Sequence, residues 1–306
     1  MSVTRPAAGA ILPAVMEIIR TVREMRAAST VVKRSGRRIA LVPTMGALHE
    51  GHVALMRKAR EHGAMVVVSV YVNPTQFGPH EDFKQYPRDL EADARLCEPE
   101  GVDAVFAPSD EEMYPGGVAF EEDASRGLLY FTFVEESLLS RRLEGERRPG
   151  HFRGVCTVVA ELFNIVQPDN ALFGQKDYQQ LKIVERMVRD LRFPVEIIPV
   201  PTVREADGLA LSSRNQRLSK AERSQATVLW KALSVARELF DQGERDARRL
   251  EAAMSHAVAL APSARLDYAK VANAVSLETV DKVQRGNVVL IAAQVGKTRL
   301  IDNLTL

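Results

Sequence analysis

The stretch RIALVPTMGALHEGHVALMRKAREHGAMVVVSVYV (Arg38–Val72) decides the fold of this chain. Its first apolar run, Arg38–Val42, predicts a strand, and after a turn a helix is expected from about His49 through Arg60. The second apolar run, Met65–Val72, is rich in β-branched residues, which is typical of a strand buried on both faces. Strand, helix and strand in this order form a βαβ unit, so the chain is expected to build a parallel sheet.

The same alternation of strands and helices extends in both directions, as far as about Pro201. Helices are expected at Met16–Met25, Asp89–Glu98, Gly154–Val166 and Tyr178–Arg192, and strands at Ala104–Ala107, Asn170–Phe173 and Val195–Val200. The pattern predicts an α/β fold: a doubly wound, Rossmann-like parallel sheet of about five or six strands.

After Pro201 the pattern changes, and a second, smaller α+β domain is predicted for residues 202–306. Ser219 and Glu222 stand in capping-box spacing ahead of a helix that runs to about Phe240. A further helix is expected at Ala247–Ala259, and strands at Leu266–Val271 and Val288–Val295. The first domain is then 1–201, of which roughly the first 15 residues are expected to be poorly ordered.

Composition limits the partners. The 306 residues include 41 Lys and Arg against 40 Asp and Glu, so no overall charge attracts nucleic acid or an anionic membrane. Cys97 and Cys156 lie far apart and fit neither a disulfide framework nor a zinc site, which favours buried thiols. No apolar run is long enough to span a membrane. We expect a cytoplasmic protein whose phosphate-binding groups, if any, form a local site.

The segment Pro43–His52 carries the first candidate site, because ligands of open parallel sheets bind where a strand gives way to a helix. His49 and His52 would share one face of the first helical turn, where the positive end of the helix dipole suits a triphosphate. Gly51 between them lacks a side chain, which would let a flat ring such as adenine approach the backbone.

Each histidine alone is better explained as a helix cap or as a partner in a core hydrogen bond. The pair favours a ligand site, since His-x-Gly-His after a buried strand is typical of nucleotidyl-transferring α/β enzymes and of class I aminoacyl-tRNA synthetases. A metal site is disfavoured, because the spacing is not His-x-x-x-His and no third ligand stands nearby.

Two further clusters favour phosphate binding. Lys176, in Gly174–Gln180, follows a short strand and could contact phosphate as a point charge, although such a lysine alone is usually a solvated surface charge. In Ala210–Asn215, two hydroxyls and a guanidinium follow the turn-forming stretch Glu205–Gly208 and could donate to a polyphosphate. Such a loop is common by chance, but three phosphate-compatible clusters in one domain are difficult to explain as coincidence.

Together these segments resemble the pantothenate synthetase (pantoate–β-alanine ligase) family, over almost the whole chain from about Val22 onward. The resemblance is carried by PTMGALHEGH (Pro43–His52), VNPTQFGPHEDFKQYPRD (Val72–Asp89), RRPGHFRGV (Arg147–Val155), FGQKDYQQL (Phe173–Leu181), READGLALSSRN (Arg204–Asn215) and GKTRLIDN (Gly296–Asn303).

The resemblance implies roles that spacing alone does not give. Gln76 and Gln180 match the positions that bind pantoate. The positions that match ATP-phosphate contacts are His49, His52, Lys176, Ser212, Ser213 and Arg214. Of these, the resemblance implies that His49, His52, Lys176 and Arg214 are the catalytic residues. Met45 is expected near the reacting centre and Asn73 near the lid, although a turn at Asn-Pro explains Asn73 nearly as well. Further ATP contacts are expected from Gly51, Asp177, Val203 and Leu211. Arg148 and His151 lie in a matching segment, but the resemblance defines their part in catalysis less closely.

The implied activity is the condensation of D-pantoate with β-alanine, which gives pantothenate, AMP and pyrophosphate through a pantoyl adenylate. ATP is the co-substrate, and Mg²⁺ is held mainly by its phosphates rather than by a protein metal site. Gly78–Asp89 is expected to cover the site, and residues 202–306 are interpreted as a lid domain. The family also implies a homodimer whose partners are small molecules.

This chain departs from the family pattern at three places. Leu211 stands where Met is usual, and Gln175 where Glu is frequent. A longer segment of about a dozen extra residues, within Ala119–Tyr130, is expected to lead into a strand at Phe131–Val134 and to lie near subunit contacts.

Two other functions are weighed against the ligase. A related adenylyl- or cytidylyltransferase would not need Gln76 and Gln180. A regulatory nucleotide-binding protein would tolerate the loss of Lys176 or of a histidine. A class I tRNA synthetase is disfavoured by the short chain and the lack of a basic surface.

Overall fold

The structure, a computed structural model, describes residues 16–63, 65–78, 81, 83–117 and 130–306. Its main sheet has six parallel strands in the order β1-β4-β3-β2-β5-β6. The strands are β1 (Glu17–Ile19), β2 (Ile39–Thr44), β3 (Met65–Val70), β4 (Ala104–Phe106), β5 (Asn170–Gly174) and β6 (Glu196–Val200). The chain winds outward from β2 in one direction and from β5 in the other. The predicted fold class is confirmed, and the strand order reverses between β2 and β5.

Helices connect the strands and continue beyond them. They are α1 (Val22–Arg34), α2 (Glu50–His62), α3 (Leu90–Cys97), α4 (Asp110–Met113), α5 (Glu144–Arg147), α6 (His151–Val166), α7 (Tyr178–Leu191), α8 (Lys220–Ala226), α9 (Val228–Asp241) and α10 (Ala247–Ala259). None of the helices in the described part of the chain combines the length and apolar character of a membrane span.

The main sheet is covered on both faces, which explains the unbroken apolar runs in its strands. Ile39 and Leu41 of β2 pack in one core with α1, α6 and α7. Ala40 and Val42, which point to the opposite face, pack in a second core with α2. All four side chains are fully buried, so a strand of this sheet must be apolar at every position.

Residues after β6 build a second sheet of three antiparallel strands, β7 (Ala264–Ala272), β8 (Val288–Val295) and β9 (Thr298–Thr305). Val289 and Ile291 of β8 pack with α9 and α10. Val288 and Leu290 point the other way, into the core shared with the first sheet. The second sheet thus lies between its own helices and the first domain, and the division at residue 201 stays a prediction.

A partly buried ion pair also joins the two parts. Arg299 of β9 forks onto the Glu144 carboxylate of α5, with nitrogen–oxygen distances of 2.6 and 2.9 Å. The Tyr268 hydroxyl of β7 donates to the same carboxylate at 2.7 Å. Removing Arg299 would leave the buried Glu144 carboxylate without its cation, which is destabilising, so the pair helps to fix the relative position of the two sheets.

The helix expected at Met16–Met25 is wrong in its first half. Residues 17–19 form β1, which pairs with β4, and α1 begins only at Val22 and continues to Arg34. Thr21 caps this helix by accepting from the Glu24 backbone N–H, at 3.2 Å. Thr and Glu three residues apart are the capping signal that would have placed the start correctly.

The strand expected at Phe131–Val134 is also wrong. Among the described residues this segment joins no sheet; the Val134 N–H donates to the Thr157 hydroxyl, and Phe131 is 60% exposed. The helix expected to reach Phe240 is divided at Thr227 into α8 and α9, and strand β9 was not predicted. The extra segment 119–130, except Tyr130, and the first 15 residues lie outside the described part of the chain.

Candidate active site

One cavity lies at the carboxyl ends of β2 and β5, where the strand order reverses. Every site residue expected from the sequence lines it: Met45, His49, Gly51, His52, Asn73, Gln76, Lys176, Asp177, Gln180, Val203, Leu211, Ser212, Ser213 and Arg214. Arg148 and His151 line it as well. The structure therefore brings the predicted residues together, and their individual roles stay predictions.

The two histidines form a reciprocal cap at the start of α2. His49 is the N-cap residue, and its Nδ1 accepts from the Gly51 N–H at 3.1 Å. The His49 N–H in turn donates to His52 Nδ1 at 3.2 Å. Because both Nδ1 atoms accept, each neutral ring carries its proton on Nε2. The capping role leaves each ring an Nε2–H donor, so it is compatible with the predicted ligand role.

Burial keeps both rings neutral. Burial, aided by the nearby Lys176 cation, lowers the pKa of His49 to about 4. Burial, aided by the neighbouring His49, lowers the pKa of His52 to about 3. Near pH 7 the pair can donate hydrogen bonds without adding charge. Protonation of either Nδ1 would remove an acceptor from the cap, so the cap and the neutral state support each other.

Gly51 is needed for this cap. A Cβ at position 51 would lie 2.9 Å from Cε1 of the His49 ring, which is closer than such atoms normally approach. Glycine was expected here because it leaves space for a flat ring of a ligand. Its immediate neighbour is instead the His49 ring, and a substitution would displace a ring that lines the cavity.

Asp93 of α3 holds the loop that leads to the histidines, and sequence reasoning missed it. Its carboxylate accepts from the Ala47 N–H at 3.1 Å and from the Leu48 N–H at 2.7 Å. Ala47 has a φ of +51°, an uncommon conformation for a residue with a side chain. Asp93 is only 3% exposed. An acidic residue on the buried face of a helix is unusual, and this was the signal that could have identified it.

A chain of hydrogen bonds orients the amide of Gln76. The Tyr114 hydroxyl donates to Asn73 Oδ1 at 2.7 Å, and Asn73 Nδ2 donates to Gln76 Oε1 at 3.1 Å. Gln76 Nε2 lies 2.9 Å from Met45 Sδ. Because Gln76 Oε1 is already an acceptor, its NH₂ group is the part that can serve an anionic substrate. Tyr114, fully buried, was not predicted from the sequence.

Asn73 also caps the short turn that carries Gln76, so both interpretations made from the sequence fit. Asn73 Oδ1 accepts from the Thr75 N–H at 3.3 Å, and Pro74 follows directly. Gly154 of α6 packs against this turn, where a Cβ would lie 2.4 Å from the Thr75 carbonyl oxygen. A glycine inside a helix is the signal that a backbone approaches closely there.

Charged groups face the histidines from the other side of the cavity. Lys176 and Asp177 lie in the turn Gln175–Asp177 ahead of α7, with Lys176 Nζ 3.7 Å from Asp177 Oδ1. Burial favours the neutral acid, but the positive charges of Lys176 and Arg214 hold the pKa of Asp177 below its usual value. Asp177 is the one carboxylate among the described residues that line the cavity.

The hydroxyl cluster is carried by a narrow hairpin. The Leu211 N–H donates to the Val203 carbonyl at 3.0 Å, and Ser212 then caps the turn Ser213–Arg217 by accepting from the Arg214 N–H at 3.3 Å. This places Val203, Leu211 and the two serines along one wall of the cavity.

The expected lid segment, residues 78–89, contacts two walls of the cavity. The Tyr86 hydroxyl lies 3.5 Å from Ser213 Oγ. Glu81 forms a two-point ion pair with Arg148, at 2.7 and 2.6 Å. Arg148 Nη1 also lies 3.0 Å from His151 Nε2, which must accept because arginine only donates. His151 Nδ1–H then donates to the Gln76 carbonyl at 2.8 Å, which links this lid segment to the amide turn.

Comparisons with known proteins show the family of the chain. The model of the pantoate-beta-alanine ligase family matches residues 17–305 of the chain. The pantothenate synthetase of Thermotoga neapolitana is 51% identical over 291 residues, which cover 95% of this chain and 100% of that protein.

Two solved structures are similar over the same range. The crystal structure of pantothenate synthetase from Thermus thermophilus matches with a TM-score of 0.86 and 46% identity, covering 95% of this chain and 99% of that one. The pantoate-beta-alanine ligase of Francisella tularensis, crystallised with beta-gamma ATP and beta-alanine, matches with a TM-score of 0.75 and 31% identity, covering 95% and 97%.

Proposed function

The chain belongs to the pantoate–β-alanine ligase family, and from this premise we propose how its cavity works. It is an enzyme that condenses pantoate with β-alanine in an ATP-dependent reaction. The observation that carries the proposed roles is the meeting of the histidine pair, the two glutamines and Lys176 in one cavity. A nucleotidyltransferase of the same fold would not need Gln76 and Gln180 to face that space.

In the first step, a carboxylate oxygen of D-pantoate attacks the α-phosphorus of ATP, and the bond to the β-phosphate bridging oxygen breaks. Gln76 and Gln180 would hold pantoate through neutral amides, which hydrogen-bond its oxygens without neutralising the attacking carboxylate. The Nε2–H groups of His49 and His52 would donate to phosphate oxygens, and Lys176 would supply positive charge. Catalysis then comes from orienting two anions that repel each other and from stabilising charge on the phosphoryl oxygens.

Donors from the hairpin complete the ATP site in this proposal. The hydroxyls of Ser212 and Ser213 and the Arg214 guanidinium would contact the phosphates, while the Val203 and Leu211 backbone and Gly51 would border the base. Asp177, ionised beside these cations, would contact ATP away from the phosphates, where its charge is not repelled.

In the second step, the amine of β-alanine attacks the acyl carbon of the mixed anhydride, loses a proton, and expels AMP as the amide forms. No covalent enzyme intermediate is required. Water would compete for the same adenylate, so the cavity has to be covered during both steps. The lid segment is the candidate cover, because Tyr86 reaches the hairpin and Glu81 pairs with Arg148.

We further propose that Mg²⁺ enters with the ATP phosphates. Among the described residues, no group of three or more His, Cys, Asp or Glu side chains could hold a metal ion. With Asp177 as the one carboxylate in the cavity lining, the donor set fits a cation carried mainly by phosphate oxygens. When bound there, Mg²⁺ would stabilise the charge of the departing pyrophosphate.

A homodimer and a cytoplasmic location are also proposals. The exposed apolar side chains Phe131 and Leu138, which follow the extra segment, support a subunit contact in that region. The buried thiols Cys97 and Cys156 and the absence of excess positive charge fit a cytoplasmic enzyme that acts on small molecules alone.

The direct test is an assay of purified protein with ATP, Mg²⁺ and D-pantoate, with and without β-alanine, in which AMP, pyrophosphate and pantothenate are measured. We expect pantothenate and AMP together, only when β-alanine is present, and much slower formation of both in His49→Ala and Lys176→Ala. Pantoate-dependent nucleotide chemistry that ignores β-alanine would indicate a transferase with another acceptor. ATP binding without turnover would favour a regulatory protein.

A further inference from the structure

We propose that Asp302 and Asn303 of β9 form a clamp that positions two loops of the active site at once. These loops are the turn Gln175–Asp177, which carries Lys176, and the hairpin that carries the serines and Arg214. The inference rests on the proposed function, because it assumes that both loops contact ATP. Asp302 and Asn303 are positioning residues, since neither lines the main cavity and both are buried, at 4% and 7% exposure.

Asn303 holds the lysine turn. Its side-chain Nδ2 donates to the backbone carbonyls of Gln175 and Lys176, at 2.9 Å each. Both protons of the NH₂ group are used, so the peptide groups on either side of the Lys176 Cα are fixed to β9. The direction in which the Lys176 side chain leaves the turn therefore depends on a strand of the second sheet.

Asp302 holds the hairpin through Arg204. The Asp302 carboxylate forms a two-point ion pair with Arg204, at 2.6 and 2.9 Å. Arg204 also donates to the Gly208 carbonyl at 3.0 Å and stacks 3.9 Å above the Trp230 ring. The hairpin base is thereby fixed to the same strand that holds the lysine turn.

The clamp is internally braced. The Asn303 N–H donates to Asp302 Oδ1 at 2.8 Å, and the Asn303 carbonyl accepts from Arg204 Nη2 at 3.3 Å. One dipeptide therefore connects the two loops through partly buried hydrogen bonds of 2.6 to 3.3 Å. The consequence is that the separation between Lys176 and Arg214, and so the fit to a polyphosphate, is set from outside the cavity.

The test compares Asn303→Ala with Tyr268→Phe. Tyr268→Phe also removes a buried hydrogen bond between the two parts of the protein, but one that holds Glu144 and neither loop. We expect Asn303→Ala to weaken ATP binding about tenfold, measured by titration calorimetry, while the pantoate KM changes less than about twofold. Tyr268→Phe should bind ATP like the wild type. If Asn303→Ala does not fold, Asn303→Ser, which keeps one donor, replaces it.

A double-mutant cycle separates positioning from general destabilisation. If Asn303 acts through Lys176, Asn303→Ala should cost little further ATP affinity once Lys176→Ala is present. Additive losses, or an ATP affinity of Asn303→Ala within about twofold of the wild type, would overturn the clamp. The two proposals can fail separately, because ATP binding is measured directly. A wild type that binds ATP without forming pantothenate would refute the proposed function, and the ATP affinities of the variants would still test the clamp.

Discussion

The loop of residues 43–52 and the two loops held by the clamp line the same cavity, but different contacts hold them in place. In the histidine loop, local contacts include the ligand-facing groups themselves: His49 and His52 cap each other across three residues. Asp93 holds Ala47 and Leu48 just ahead of them. The lysine turn is fixed by Asn303, 127 residues from Lys176 along the chain. The hairpin is fixed by Asp302, 98 residues from Arg204.

This difference separates two kinds of residue at one site. In the histidine loop, the groups predicted to face the ligand also hold part of the local structure, namely the start of α2. In the clamped loops, one set of residues faces the ligand and another, in a different sheet, holds the backbone. Substitutions in the histidine loop should therefore change stability and activity together. Substitutions of the ligand-facing residues in the clamped loops should change activity alone.

The largest effect is expected from Lys176→Ala. Removing this cation should lower kcat/KM for ATP about 10²- to 10³-fold with little change in the melting temperature, because Lys176 contributes charge rather than packing. Initial rates of AMP formation measure the loss. Lys182→Ala is the matched control, since Lys182 on α7 pairs with Glu185 at 2.8 Å outside the cavity. If Lys176→Ala lowered kcat/KM by less than about tenfold, the lysine turn would have no major role in catalysis.

The next effect is expected from His49, where two substitutions can separate cap from chemistry. His49→Asn should lower kcat/KM about 10- to 100-fold by removing a donor to phosphate, while asparagine still caps the helix. His49→Ala should lose the same activity and also about 1 kcal/mol of folding free energy. Activity assays and urea unfolding measure the two quantities.

Thr21→Ala provides the control for a cap without chemistry. Thr21 caps α1, which at 13 residues has the same length as α2. Thr21→Ala should lower the free energy of unfolding by a similar amount, about 1 kcal/mol, and leave kcat/KM unchanged. Equal activity in His49→Asn and the wild type would mean that the histidine loop is structural only.

A smaller effect is expected from Tyr114→Phe, which removes the first donor in the chain that orients Gln76. We expect the KM for pantoate to rise only about threefold, because Thr75 still donates to Asn73 Oδ1. The KM for ATP should stay unchanged. Tyr178→Phe, which loses a hydrogen bond to the Ala274 carbonyl, is the control. A parallel rise in both KM values would indicate a general loss of structure.

The last prediction concerns the pH dependence of stability rather than activity. The pKa values of His49 and His52 are about 4 and 3 in the folded protein against 6.5 as the ordinary value, so the unfolded chain binds more protons below pH 6.5. The free energy of unfolding should therefore fall as the pH is lowered from about 6.5 towards 4. His49→Asn should show a shallower decline in urea unfolding at a series of pH values. A slope equal to that of the wild type would contradict the neutral, buried state of His49.

The parts of the protein that local patterns encode were predictable from the sequence. The run Met65–Val72 and the His-x-Gly-His element identified a parallel sheet with a ligand site at its edge. The glutamines were assigned from the family resemblance, since no spacing distinguishes Gln76 from other amides. Strand β9 was missed even though Gly296 and Lys297 form a two-residue loop between strands, a common hairpin signal.

The residues that sequence reasoning missed act over long separations. Asp93 contacts Leu48 across 45 positions, and Tyr114 contacts Asn73 across 41. Neither stands in a motif with its partner, so only the folded chain shows that they hold the site. The same holds for Asn303, which lay inside a segment carrying the resemblance but had no expected contact.

The position of β9 along the chain has a consequence for the order of assembly during synthesis. The six-stranded sheet is complete at Val200, whereas β9 begins at Thr298. At ordinary rates of translation the ribosome needs roughly 5 to 20 s to add the intervening residues. In that interval a nascent chain can present the capped histidines and Lys176 with no strand to hold the lysine turn. We expect such a chain to gain tight nucleotide affinity only when β9 has emerged and paired with β8.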